Sequence, residues 1–274
     1  MKIVFRFAGV IALSSALCVA QTVTEAGPMG PPTCPVAGGN ASAGRSTRPT
    51  AEQIKATAEA GAADPSVLMA AEPVPNFGAE RFRLADYAQC VGGGGCYWAD
   101  LDAQTRRAEV MLDRVIATKK AGEKLAVVLD IDETSLTNYC EMVKEDYGYL
   151  PGVYEKWLGS PESGMPIEGT LRLFKKARAA GLEVFFITGR ADDLRKDTER
   201  NLGLAGFKGW KGLALRVGAQ QHMKTAEYKS EERQKIVNAG YRIVLNMGDQ
   251  WSDLNGTARG EMSVKLPNPF YYLP

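Results

Sequence analysis

The residues best suited to chemistry stand in KLAVVLDIDETSLTN, Lys124–Asn138, where the apolar run Leu125–Leu129 ends in Asp130, Asp132 and Glu133. An unbroken apolar run of this length reads as a strand buried on both faces of a parallel sheet. Acids just past the carboxyl end of such a strand lie where open α/β sheets bind ligands. Asp130 and Asp132 are two residues apart, so in an extended segment both point to one side. One can attack an electrophile while the other moves a proton. Thr134 and Ser135 follow and are expected to cap a helix.

Further segments offer matching groups. The apolar run Glu183–Ile187 ends in Thr188-Gly189-Arg190. A threonine hydroxyl and a glycine N–H just past a strand, at the start of a helix, can bind phosphate oxygens. The run Ile243–Met247 ends in GDQWSD, which supplies Asp249 and Asp253. Two acids four apart beside the first pair make an oxygen-rich pocket suited to Mg²⁺. Lys229, in YKSEER, is placed to neutralise an attacking carboxylate and a transferring phosphoryl group. Lys224 competes for that role.

Strands alternating with amphipathic helices must position these groups. Tyr97–Lys120, Thr134–Val143, Ile167–Ala180, Asp192–Leu202 and Ser230–Ala239 read as helices, the third and fifth ending at Gly181 and Gly240. Leu213–Val217 and Val264–Leu266 read as further strands. The expected fold is α/β, a parallel sheet wound on both faces.

The 274 residues are 45% hydrophobic and 24% charged with a formal net charge of +1, which points to no nucleic-acid partner. A single histidine, His222, excludes metal sites built on several imidazoles and leaves no phosphohistidine signature. Residues 1–20 read as a signal peptide. Lys2 and Arg6 precede the mostly apolar Phe7–Val19, and Ala20 permits cleavage before Gln21. The run is short for a membrane span, which takes about 20 apolar residues, and Cys18 follows Leu17 rather than the small residue that lipidation requires. The expectation is an exported protein, periplasmic or secreted, without stable membrane insertion. Residues 21–75, rich in Pro, Gly, Ala, Ser and Thr, read as a mostly disordered linker, although 51–75 is ambiguous. The folded domain is expected over 76–274. Cleavage would leave Cys34, Cys90, Cys96 and Cys140, and the loop VGGGG between Cys90 and Cys96 is flexible enough to close as a disulfide.

Asp130-Ile131-Asp132-Glu133-Thr134, Thr188-Gly189-Arg190, Lys229 and Gly248-Asp249 with Asp253 resemble the four motifs of the haloacid dehalogenase superfamily. YKSEER, GYRIVLNMGDQWSDLNG and the ending KLPNPFYYLP resemble its subfamily IIIB acid phosphatases, a group of bacterial non-specific acid phosphatases and plant relatives that include vegetative storage proteins. The resemblance runs from about Trp98 to the C-terminus. It implies a phosphomonoesterase acting on small phosphate esters. Asp130 is then the nucleophile that forms an aspartyl-phosphate, and Asp132 the acid–base. Mg²⁺ lies on Asp130, the backbone carbonyl of Asp132 and Asp249, with Asp253 orienting metal-bound water. Thr188, Gly189 and Lys229 hold phosphate, and Arg190 either binds substrate or braces its loop. The insertion between Asp132 and Thr188 is too short for a separate cap domain. An open pocket lined partly by Trp157 and Tyr154, with broad specificity, is therefore expected. The alternatives are a 5′-nucleotidase of the same fold and a catalytically quiet storage protein, the latter opposed by the intact motifs. A homodimer is implied by the resemblance alone.

Overall fold

Five parallel strands form one sheet in the order β3-β2-β1-β4-β5: β1 Leu125–Leu129, β2 Glu183–Ala191, β3 Gly212–Arg216, β4 Arg242–Gly248 and β5 Ser263–Lys265. The computed structural model describes residues 30–34, 49–71 and 73–273. The expected signal peptide lies outside the described residues. The expected linker is described only in part.

Alternation along the strands divides the core. Leu125, Val127 and Leu129 of β1, with Val184 and Phe186 of β2, pack into the larger cluster. Ala126 and Val128, with Ile187, point to the opposite face. The larger face is covered by α3 (Tyr97–Thr118), α6 (Glu168–Ala179) and α7 (Arg195–Leu204) through residues such as Leu101, Leu112, Leu173, Phe174 and Leu202. The other face is covered by α8 (Thr225–Asn238) through Tyr228 and Ile236. The sheet is thus doubly wound, as the strand-helix alternation predicts.

From β1 the chain builds outward through β2 and β3, then returns to place β4 on the other flank of β1. That reversal opens a crevice at the carboxyl ends of β1 and β4, where open α/β sheets bind their ligands. Val128 and Leu129 pair with Asn246 and Met247. Asp130 and Asp249 consequently emerge side by side.

Several local expectations change. Thr134 and Ser135 cap no helix; α4 starts later, at Tyr139–Lys144, because the chain first makes a tight turn with Glu133 at φ +53°. Strand β2 continues through Thr188-Gly189-Arg190 to Ala191. These residues therefore lie in extended chain and not at a helix start; α7 begins only at Arg195, after a 3-10 turn over Asp192–Leu194. α8 begins five residues earlier than its apolar pattern suggests, at Thr225, which puts Lys229 in its second turn.

N-terminal to the expected domain boundary at residue 76, Ala51–Ala62 forms α1. Thr50 caps it reciprocally with Gln53, and the Ala51 N–H donates to Asp86 Oδ2 (2.7 Å) on α2, Phe77–Gln89. The stretch read as linker therefore holds an ordered helix.

Cys90 is bonded to Cys96, and Cys34 to Cys140 at the start of α4. The two bridges close loops of very different length, 6 and 106 residues. By chain entropy the long one stabilises by about 5 kcal/mol and the short one by about 2 kcal/mol. Urea unfolding of Cys34→Ser/Cys140→Ser and Cys90→Ser/Cys96→Ser is expected to show the larger loss in the first variant. The reverse order would mean that the bridges act through the native state rather than through the unfolded chain.

Candidate active site

The turn that carries Asp130 is built by backbone hydrogen bonds. The Asp130 N–H donates to Met247 O (3.0 Å), extending the β1–β4 ladder by one residue. Ile131 O then accepts from the N–H groups of Thr134, Ser135 and Leu136, and Ser135 Oγ donates to Asp130 O (2.6 Å). Thr134 Oγ1 donates to Asp249 Oδ1 (3.0 Å). The two hydroxyls that look like helix caps in the sequence lock the turn and reach across to the neighbouring strand.

Asp130 is buried and accepts from Lys229 Nζ. The same ammonium lies 2.8 Å from Asp253 Oδ1 and donates to Ile187 O (2.7 Å). Burial disfavours the Lys229 charge, but the two aspartates outweigh it and hold the pKa above the ordinary value. Lys224 is exposed at the N-cap of α8, so of the two lysines Lys229 is the one placed against Asp130 and Asp253.

Asp130, Asp249 and Asp253 each bring a carboxylate oxygen within 4.8 Å of the others. Burial, then the charge of Asp253, pushes the Asp130 carboxyl well above its usual range despite the lysine. The same two causes push Asp249 up to about 7. Lys229 touches Asp130 and Asp253, while the side-chain donors on Asp249 are neutral: Thr134 Oγ1, Gln250 Nε2 (2.7 Å) and Asn268 Nδ2 (2.6 Å). An all-oxygen, electron-rich donor set of this kind fits a hard divalent cation. The Asp132 carboxylate lies outside this trio, so its place in the expected ligand set rests on its backbone carbonyl. Gly248 makes the trio possible, because a Cβ there would lie 2.3 Å from Asp253 Oδ2.

Asp132 faces a different partner. Arg190 grips it as a fork, Nη2 to Oδ1 at 2.7 Å and Nε to Oδ2 at 3.0 Å, and Asn138 Nδ2 adds a bond to Oδ1 at 2.9 Å. Burial alone would raise this carboxyl, but Arg190 and Asn138 reverse the sign and hold it below the ordinary range. Arg190 also donates to Thr198 Oγ1 (3.2 Å), and its side chain is 1% exposed. Of the two roles left open for Arg190, bracing is the one this geometry displays. Thr188 Oγ1 is buried, accepts from the Arg190 N–H (3.2 Å) and lies 3.5 Å from Asp132 Oδ2. Gly189 presents exposed backbone to the cleft.

Trp157 departs from expectation. Its indole N–H donates to Asn138 Oδ1 (2.9 Å) and its ring packs against the core. It braces the asparagine that orients Asp132 and does not line the cleft.

A profile of the HAD superfamily, subfamily IIIB (acid phosphatase), matches residues 50–274. The chain belongs to this family. Among relatives of this subfamily IIIB chain, acid phosphatase 1 of Solanum lycopersicum is 41% identical over 152 residues, covering 53% of this chain and 58% of that protein. Vegetative storage protein 1 of Arabidopsis thaliana is 37% identical over 150 residues, covering 54% and 55%. The chain thus spans a little over half the length of the curated relatives it matches. The class C acid phosphatase of Bacillus anthracis superposes with a TM-score of 0.51 at 24% identity, over 63% of this chain and 80% of that one, a likeness of fold.

The subfamily IIIB site opens into a cleft of about 800 Å³. Asp130, Asp132, Lys229 and Asp249 lie on its walls, and the exposed Tyr149, Leu150, Tyr272 and Leu273 form an apolar rim with Tyr154. Motif reading missed what closes the back of the site. The segment 267–273 straps across it: Asn268 binds Asp249, and Tyr271 OH donates to Glu133 Oε2 (2.8 Å). Glu133 also accepts from the Asn138 N–H (2.6 Å). Burial, then the charge of Asp132, pushes Glu133 up to about 7. The Asn-Pro pair followed by aromatics was the only sequence signal for this strap, and it carries no information on which loop the strap covers.

Proposed function

We propose that the protein is an exported acid phosphatase that hydrolyses phosphomonoesters through an aspartyl-phosphate on Asp130, with Mg²⁺ as cofactor and broad specificity. The observation that carries this reading is the pairing of two differently held carboxylates at one strand end. Asp130 is packed against Lys229, and Asp132 is held apart from it by Arg190. In the first step an Asp130 oxygen attacks phosphorus, the ester bond breaks, and Asp132 gives its proton to the leaving alkoxide. In the second step Asp132 takes a proton from water, which attacks the aspartyl-phosphate and returns Asp130 and inorganic phosphate. Arg190 keeps the resting Asp132 ionised, the form needed in the second step; a phosphate dianion bound beside it raises its proton affinity for the first. Lys229 screens Asp130 from the dianionic ester, and Thr188 and Gly189 offer a hydroxyl and an N–H to phosphate oxygens.

Asp130 and Asp249, with the backbone carbonyl of Asp132, would hold the metal, and Asp253 would steady its surroundings while tethering Lys229. A bound divalent ion supplies Lewis-acid polarisation of the phosphoryl group and neutralises the crowded carboxylates. The tyrosines of the cleft rim also favour flat leaving groups, which keeps a 5′-nucleotidase as the second reading. The storage-protein reading predicts a damaged site, whereas each residue of this one is present and paired.

A screen for phosphate release from nucleotides, sugar phosphates and aryl phosphates tests the function; an inert, folded protein would overturn it. EDTA is expected to silence turnover and Mg²⁺ to restore it. Asp249→Ala should weaken Mg²⁺ binding, followed by titration calorimetry, more than about 100-fold, and Asp253→Ala by about 10- to 100-fold, the range for residues that orient ligands. A larger loss in Asp253→Ala would exchange the two assignments.

A further inference from the structure

Arg216 closes β3 at the level of Ala191 on β2, at the edge of the catalytic cleft. It is a buried cation, 8% exposed, yet among the described residues no carboxylate pairs with it. Its partners are Gln220 O (3.0 Å), Met223 O (2.8 Å) and Thr225 Oγ1 (2.9 Å), and its guanidinium carbon stands 4.9 Å from the centre of the Tyr228 ring. Asp193, an acid at the same cleft, makes no ion pair with it. Burial lowers its pKa, with no acid to offset the cost.

The other buried cations of the fold are differently placed. Arg190 has Asp132, and Lys229 has Asp130 and Asp253. Arg233 makes no direct ion pair among the described residues, but it has Asp253 near it and turns Nε, Nη1 and Nη2 onto backbone carbonyls, as a purely structural arginine does, and it does not line the cleft. Arg216 instead leaves Nε without a partner among the described residues. That nitrogen lies 4.0 Å from the point where a Cβ of Gly189 would stand, so it faces the backbone of Gly189 at contact distance. Thr225 is the first residue of α8, whose N-terminus carries no side-chain cap, and Gln221 lines the same end of the cleft. An unneutralised guanidinium beside uncapped helical N–H groups is a combination that suits an anion.

We propose that Arg216, with Thr225 and the first-turn amides of α8, forms a second anion subsite in the cleft. It takes a carboxylate or a further phosphate carried on the leaving group, so that phosphate esters bearing a second anionic group are the preferred substrates. The preference for substrate rests on the phosphatase reading above; the anion site itself does not. A neutral leaving group leaves the Arg216 charge without a counterion, whereas a second anion supplies one.

The test compares phenyl phosphate with carboxyphenyl phosphates, and adenosine 5′-phosphate with adenosine 3′,5′-bisphosphate, in wild type, Arg216→Gln and Arg216→Lys. Wild type is expected to favour the second member of at least one pair by tenfold or more in kcat/KM, mainly through KM. Arg216→Gln should erase that ratio, and Arg216→Lys, which keeps the charge but not the fork, should restore part of it. An equal loss on both members of each pair would show that Arg216 only supports its loop or serves the transferred phosphoryl group, and would overturn the proposal. So would a wild type that does not discriminate within either pair. Calorimetric binding of benzylphosphonate against its carboxyl-substituted analogues to wild type needs neither turnover nor a variant. Tighter binding of the carboxylated ligands supports the subsite even if no ester is hydrolysed, an outcome that would sink only the phosphatase reading; equal affinity overturns the subsite.

Discussion

Asp130→Asn is expected to abolish turnover, by at least about 10⁴-fold, while the protein stays folded. The amide has the shape of the carboxylate but lacks the charge and lone-pair basicity to attack phosphorus, so the two-step route is lost and little replaces it. Folding should survive because the substitution also relieves crowding: Asp130 is a buried acid facing Asp253 and Asp249, and its charge is disfavoured where it stands. Stability in urea is therefore expected to be unchanged or raised. Rapid acid quench after mixing with an aryl phosphate should trap phosphoenzyme in the wild type and none in the variant. Retained hydrolysis in a folded Asp130→Asn protein would falsify the covalent mechanism.

Lys229→Met is expected to cost about 10³-fold or more in turnover and to destabilise the fold as well. Its ammonium is the cation that touches both Asp130 and Asp253, and it also satisfies Ile187 O in the middle of β2. Removing one partner of a buried ion pair costs about 3–5 kcal/mol, since the remaining charge has neither water nor counterion. Here part of that cost is recovered when the stranded acids take up protons. Adding Asp253→Asn to Lys229→Met should restore stability without restoring turnover, because it removes repulsion but supplies no cation for the phosphoryl group. The measurement is a double-mutant cycle of urea unfolding run beside kcat for both variants. If Lys224→Ala had the larger effect on kcat, the assignment of the cation would move to the start of α8.

The doubly wound sheet and its main motif-bearing strands were legible because they rest on local signals. A valine-rich apolar run flanked by helical periodicity is a buried parallel strand in almost any context. An acid just past such a strand is exposed to the crevice wherever the chain reverses direction across the sheet. Asp130, Asp132 and Asp249 were therefore candidates from local pattern alone, whereas Lys229 stood out only through the resemblance of its motif. The Cys90–Cys96 pair belongs with the aspartates, because a six-residue separation rich in glycine decides its own closure.

What residue order could not convey was who faces whom. Trp157 and Arg190 both read as candidate substrate contacts, yet each spends its donors inward, on Asn138 and on Asp132. The reason is that a side chain's partner is set by where distant loops return, not by its neighbours in the chain. Thr134 and Ser135 look like helix caps by type, but a left-handed Glu133 turns them into locks between β1 and β4. The bridge from Cys34 to Cys140 spans 106 residues, and nothing local shows that its two distant ends meet. Asn268 reaches Asp249 across 19 residues, and Tyr271 reaches Glu133 across 138. Propensity and pattern act over one or two turns of chain and so supplied the strands and the acids. The pairing of those acids with Arg190, Lys229 and the C-terminal strap depends on packing between elements far apart in sequence, and it came into being only when the sheet closed around them.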